Sequence, residues 1–147
     1  MVTGWFEDGG DWYYLKPGSG AMLTSWQQIE GTWYCFDYSG KMKTGWIRSS
    51  GIWYYLNSSG AMLTGWQRID DVWYFLDEDS GAMQTGWLED GGSTYYLKSS
   101  GAMATKWEKI DGDWYWFGSN GVMVYSTSIV DGGKTYNFNE KGVCTNP

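Results

Sequence analysis

One feature constrains this chain before any other: a sentence of about twenty residues that keeps starting again. Gly45-Trp46-Ile47-Arg48-Ser49-Ser50-Gly51-Ile52-Trp53-Tyr54-Tyr55-Leu56-Asn57-Ser58-Ser59-Gly60-Ala61-Met62-Leu63-Thr64 is followed at once by Gly65-Trp66. The leading Trp recurs at Trp5, Trp26, Trp46, Trp66, Trp87 and Trp107, a step of 20 or 21 residues. A period this short means an array of small units that bury their apolar faces on one another, not one irregular core.

Within each unit the register is tight. A second aromatic stands seven residues after the leading Trp, at Trp12, Trp33, Trp53, Trp73 and Trp114, with Thr94 in the fifth unit. A pair then follows: Tyr13-Tyr14, Tyr34-Cys35, Tyr54-Tyr55, Tyr74-Phe75, Tyr95-Tyr96 and Tyr115-Trp116. Gly recurs at Gly20, Gly40, Gly60, Gly81, Gly101 and Gly121, with Met two positions later. A seventh unit is degenerate, with Ser128, Thr135 and Tyr136-Asn137-Phe138 at the aromatic positions and Cys144 where Met would stand.

Each unit reads as a β-hairpin. The short run after the leading Trp ends in Asp8-Gly9-Gly10, Glu30-Gly31, Ser50-Gly51, Asp70-Asp71, Asp90-Gly91-Gly92, Asp111-Gly112 or Asp131-Gly132-Gly133. These residues tolerate the positive φ that tight hairpin turns demand. The Trp-Tyr-Tyr-Leu run is a strong strand signal, and its alternation sets Trp53 and Tyr55 on one face, Tyr54 and Leu56 on the other. No helical periodicity is present. A lone hairpin is marginal in water, so the expected fold class is all-β, a β-solenoid of about seven tandem hairpins starting near residues 4, 25, 45, 65, 86, 106 and 127, one repeat module over 1–147. Residues of the Tyr54 and Leu56 type are expected in its core.

Composition excludes several functions. The chain has no His, which removes His-based triads, paired zinc ligands and the usual neutral-pH base. Its carboxylates recur in turns and single out no glycosidase pair; the chain is expected not to be an enzyme and to hold no metal or cofactor. A net charge of -7 with only 10 basic residues disfavours nucleic acid. No apolar run reaches membrane-spanning length, and no signal peptide is visible. Met1-Val2 leads straight into Thr3-Gly4-Trp5, the phase of Thr44-Gly45-Trp46, so the chain is expected to be a module cut from a longer exported protein. Cys35 and Cys144 lie several repeats apart, beyond the ~7 Å Cα separation a disulfide allows, and both are expected to be free thiols.

The Trp and Tyr in excess of what hairpins need are the candidate chemistry. Two Trp seven apart bracket a turn, and a third ring comes from the next unit. Three rings around a small void hold a quaternary ammonium over their negative faces. Flat exposed rings would equally stack on sugars, and the same rings could merely glue hairpins together.

The Gly45-to-Trp66 pattern closely resembles the choline-binding repeats of Gram-positive surface proteins and phage lysins, over units one to six and loosely over the seventh. Related glucan-binding repeats share the Gly-Trp and paired-aromatic elements. The resemblance implies a left-handed superhelix of hairpins, with choline of teichoic and lipoteichoic acids held between successive units at the bacterial cell surface. It implies a cage of both Trp of one unit and the second ring of the next unit's pair, lined by Met. Carried over, this gives Trp26, Trp33 and Tyr55 with Met42, then Trp46, Trp53 and Phe75 with Met62, then Trp66, Trp73 and Tyr96 with Met83. The outer interfaces are expected to be deficient. Trp5 and Trp12 would meet Cys35, Trp87 and Trp116 lack a second Trp at Thr94 and leave Met103 in doubt, and Trp107 and Trp114 would face Asn137. An array binding glucan or another wall polysaccharide is the chief alternative, favoured locally by Ser93-Thr94-Tyr95-Tyr96 and Lys134-Thr135-Tyr136; a structural spacer or protein-binding stalk is the other.

Overall fold

A computed structural model describes residues 2–147. Met1, at the opening taken above as a repeat boundary, lies outside the described residues. Among the described residues every regular element is a five-residue strand, and the strands pair two by two into seven separate antiparallel hairpins. The first three are Gly4–Asp8 with Asp11–Leu15, Ser25–Ile29 with Thr32–Phe36, and Gly45–Ser49 with Ile52–Leu56. Gly65–Ile69 with Val72–Leu76 and Gly86–Asp90 with Ser93–Leu97 follow, then Lys106–Ile110 with Asp113–Phe117 and Thr127–Asp131 with Lys134–Phe138. This is the tandem hairpin repeat of a β-solenoid. The turns use the expected chemistry: Glu30, Ser50, Asp70, Asp71 and Asp111 all adopt positive φ.

The chain divides into two compact units, one running to Gly65 and including Leu76–Met83, the other comprising Trp66–Phe75 and Gln84–Pro147. The same stacking rule operates inside each. In the third hairpin Trp46 opposes Tyr55 and Arg48 opposes Trp53, while Ile47 opposes Tyr54 and Gly45 opposes Leu56. Side chains directly opposite share a face, so one face carries Trp46, Trp53 and Tyr55 and the other carries Ile47, Tyr54 and Leu56. The second face is the buried one. Leu56 is fully buried and packs with Ile47 against Cys35 and Trp26 of the preceding hairpin. In the other unit Ile110, Tyr115 and Phe117 pack against Tyr96 in the same way. In both units a hairpin thus sets its Leu/Phe face on the Trp face of the hairpin before it.

Backbone hydrogen bonds fix the step. The segment after each loop returns along its own hairpin, as where Leu63 N–H donates to the Tyr55 carbonyl at 2.9 Å. Its Met donates one repeat back: Met42 to Trp12, Met62 to Trp33, Met83 to Trp53 and Met103 to Trp73, all at 2.8–2.9 Å. Met123 and Cys144 continue the series, to Thr94 and Trp114. Gly81 shows why the loop needs glycine. Its φ is +77°, and a Cβ there would lie 2.6 Å from the Met62 sulfur. The loop itself is an Asx turn (Asp37 Oδ1 accepts from Ser39 N–H at 2.8 Å and from Lys41 N–H at 3.0 Å), repeated at Asn57, Asp77 and Asn139. The Ser39 hydroxyl and those amides hold the Asp37 carboxyl below the usual carboxylate range, and the Ser80 and Asp79 amides do the same for Asp77.

Both cysteines are free and buried, as expected from their spacing. Cys35 opposes Trp26 and lies in the core with Ile47 and Leu56, and burial pushes its thiol pKa up.

Candidate aromatic pockets between successive hairpins

The seam between one hairpin's Trp face and the next hairpin's Tyr position opens into a pocket. In the clearest case Trp26 and Trp33 come from the second hairpin, Tyr54 and Met62 from the third, and Asp79 and Ser80 close the rim from a loop further on. Trp26 and Trp33 lie 6.5 Å apart at 78°, and Trp26 and Tyr54 lie 5.1 Å apart at 67°. Rings set nearly at right angles form three walls, and their faces look into one volume of about 290 Å³. The Trp26 indole N–H donates to Ser49 Oγ at 3.3 Å, which fixes that ring from the next hairpin's turn.

The motif recurs. Trp5, Trp12, Tyr34 and Met42 line a second pocket with Ser58 and Ser59 at the rim. Trp66, Trp73, Tyr95 and Met103 line a third, with Asn120 at its rim. Trp107, Trp114 and Tyr136 line a fourth, closed by Pro147. In the last two the leading indole is anchored by a turn carboxylate, Trp66 to Asp90 at 3.0 Å and Trp107 to Asp131 at 3.1 Å. Turn composition explained these aspartates in the sequence; their second role as indole acceptors depends on the stacking. The second Trp of each pair stays exposed, Trp33 at 38% and Trp73 at 41%. An indole left open at the same position in repeat after repeat offers an unused π face. Cations of the chain already take such faces: Lys134 Nζ lies 4.8 Å from the Tyr136 ring centre, and the Arg48 guanidinium 6.0 Å from that of Trp53.

These positions correct the carried-over assignment in one systematic respect. Tyr55 does not meet Trp26 and Trp33; it is the cross-strand neighbour of Trp46 in its own hairpin, 5.1 Å away. Phe75 likewise packs on Trp66, Tyr96 on Trp87 and Trp116 on Trp107. The cause is the pleat. A ring that shares a face with its own hairpin's Trp pair cannot also face the hairpin before, whereas the first ring of the pair does. The methionine moves with it: Met42 lines the Trp5 and Trp12 pocket, Met62 that of Trp26 and Trp33, and Met103 that of Trp66 and Trp73. Trp46 and Trp53 stand 6.4 Å apart at 86°, and Met83 is tied to the Trp53 carbonyl. The outer deficiencies therefore vanish at both ends, because Tyr34 and Tyr136, not Cys35 and Asn137, supply the third ring. At Thr94 no second Trp is present, and the pocket there is lined by Trp87, Tyr115 and Tyr125 with Met123.

With that geometry in view, comparison with known proteins is specific. The family model described as choline-binding repeat matches residues 23–64, 63–106 and 104–143, and a putative cell wall binding repeat matches 3–22. Among curated protein sequences nothing matches. Solved structures do. Choline binding protein F from Streptococcus pneumoniae, determined in the presence of a peptidoglycan analogue, is 38% identical with a TM-score of 0.91, covering 98% of this chain and 52% of its own. CbpJ from Streptococcus pneumoniae is 39% identical with a TM-score of 0.90 over the same shares. A pneumococcal cell wall endolysin from phage Cp-1, complexed with choline, is 35% identical with a TM-score of 0.60, covering 83% of this chain and 37% of its own. The chain spans about half the length of the first two. Its residues match binding-repeat models almost throughout. The chain belongs to the choline-binding repeat family of Gram-positive surface proteins and phage lysins.

Proposed function

We propose that residues 1–147 act as one anchoring module that holds choline residues of teichoic and lipoteichoic acids in the pockets between successive hairpins, outside the cell. The observation that carries this is the pocket built by three near-perpendicular rings and, in three of four cases, a Met. The Trp5, Trp26 and Trp66 pockets are lined by no Lys or Arg, while at the Trp107 pocket Lys134 and Lys109 lie 4.8 and 6.0 Å from the Tyr136 and Trp114 ring centres. A trimethylammonium group has no N–H to donate, so ring faces and a thioether suit it better than hydrogen-bonding groups do. Each desolvated ring contact contributes about 2 kcal/mol. The likeness to an endolysin complexed with choline points the same way.

The working rings are Trp5, Trp12 and Tyr34; Trp26, Trp33 and Tyr54; Trp66, Trp73 and Tyr95; and Trp107, Trp114 and Tyr136. Several weak sites on one module bind a multivalent polymer far more tightly than any one site binds a free headgroup. Calorimetry with choline, paired with elution from a quaternary-amine matrix, tests the reading. Expected are at least four equivalents and release of the module by free choline. Retention on the matrix in the presence of choline, with release by an oligosaccharide, would assign the pockets to a polysaccharide.

A further inference from the structure

The fifth repeat departs from the pattern at one position and everything around the pocket changes with it. Thr94 stands where the second Trp stands elsewhere, and its hydroxyl donates to Glu89 Oε1 across the hairpin at 2.6 Å. Without that Trp the cavity grows to about 550 Å³, against 290 to 410 Å³ for the four three-ring pockets. Trp87 becomes the most exposed of the leading tryptophans, at 45%. Tyr115 remains as its partner, 4.9 Å away at 74°. The rim changes too. Where loops of other repeats bring Ser58-Ser59, Asp79-Ser80 or Asn120, this loop brings Glu140 and Lys141.

We infer that this pocket binds a pyranose ring stacked on Trp87, not a quaternary ammonium. Three observations converge. A cation there would meet Trp87, Tyr115 and the largely exposed Tyr125 without the second Trp of the other pockets, and would share the space with the Lys141 ammonium. The rim offers carboxylate oxygens at Glu89 and Glu140 and the Thr94 hydroxyl oxygen, acceptors that a trimethylammonium group, having no N–H, cannot use. A sugar ring presents an apolar C–H face to an exposed indole and a rim of hydroxyls, each both donor and acceptor. Carboxylates, an ammonium and a hydroxyl around one flat ring match that rim. The larger cavity admits the larger ligand. A glycan strand and a wall-polymer sugar share this chemistry.

Saturation-transfer NMR and indole N–H shifts, recorded on the whole chain in saturating choline, test the assignment. The probes are a β-1,4-linked N-acetylglucosamine tetramer for the glycan strand, N-acetylgalactosamine and isomaltotriose for other wall sugars, and ethanolamine for a smaller cation. At least one sugar is expected to show transfer at millimolar concentration, to shift the Trp87 indole and to persist when choline is present. Thr94→Trp is expected to abolish that transfer and to add one choline equivalent, with the fold intact; Glu140→Gln should weaken the sugar several-fold. Transfer from no sugar, displacement of the sugar by choline, or a Trp87 indole that answers choline or ethanolamine instead would overturn the inference. The Trp33 and Trp114 indoles report choline binding separately, so failure here and failure of the choline reading are distinguishable.

Discussion

Replacing Tyr54 or Tyr55 separates the two ways of building the pocket. Tyr54 is the third wall of the Trp26 and Trp33 pocket, whereas Tyr55 leans on Trp46 in its own hairpin. Tyr54 also packs on the buried Cys35, Ile47 and Leu56 cluster, so truncation to Ala would mix binding with stability. Tyr54→Leu keeps apolar volume on that cluster and removes the quadrupole. Losing about 2 kcal/mol of cation–π attraction weakens choline at that pocket about 30-fold. Tyr55→Leu removes an edge-on ring pair, which contributes about 0.5–1.5 kcal/mol, mostly to stability. The assay is calorimetry together with the choline-dependent shifts of the Trp26 and Trp33 indole N–H resonances. Tyr54→Leu should lose one tight equivalent and silence both indoles, leaving Trp114 responsive. Tyr55→Leu should leave the Trp26 and Trp33 response unchanged. The opposite pattern would refute the face assignment, and with it the reason the terminal pockets are counted as complete.

Three further outcomes are expected. Gly81→Ala puts a Cβ at positive φ against the Met62 side chain, and should lower stability by about 1–2 kcal/mol from backbone strain alone; thermal melting reads this, and choline binding at the Trp26 pocket should weaken as Met62 shifts. The depressed Asp37 and Asp77 carboxyls contribute stability that is present above the unfolded carboxylate pKa and is lost as pH falls through their lower folded values. Asp37→Asn with Asp77→Asn, which matches the amide already at Asn57 and Asn139, should flatten acid melting while leaving choline affinity level between pH 6 and 8, as circular dichroism and calorimetry would show. Two thiols should titrate in the unfolded, unreduced chain, while in the native chain the buried Cys35, its pKa raised, should resist alkylation at pH 8; rapid native labelling at Cys35 would contradict its place in the core.

By itself the sequence determined the unit and its period. The Gly-Trp recurrence, turn residues able to take positive φ and five-residue aromatic strands leave little choice but a tandem hairpin, because turn and strand chemistry act over a few residues. The inventory of rings was equally legible, as was the free state of two thiols five repeats apart. Alternation along Trp53-Tyr54-Tyr55-Leu56 even separated the two tyrosines onto opposite faces. Which of those faces meets the preceding hairpin is not a local property. It was settled by the packing of Leu56 and Ile47 against Cys35 and by the Met62 to Trp33 backbone bond, which together turn Tyr54 toward Trp26 and leave Tyr55 with Trp46. The rim residues lay further out of reach. Asp79, Asn120 and Glu140 reach pockets whose tryptophans lie two repeats earlier, a proximity created by the step between stacked hairpins and carried by no motif within any one of them.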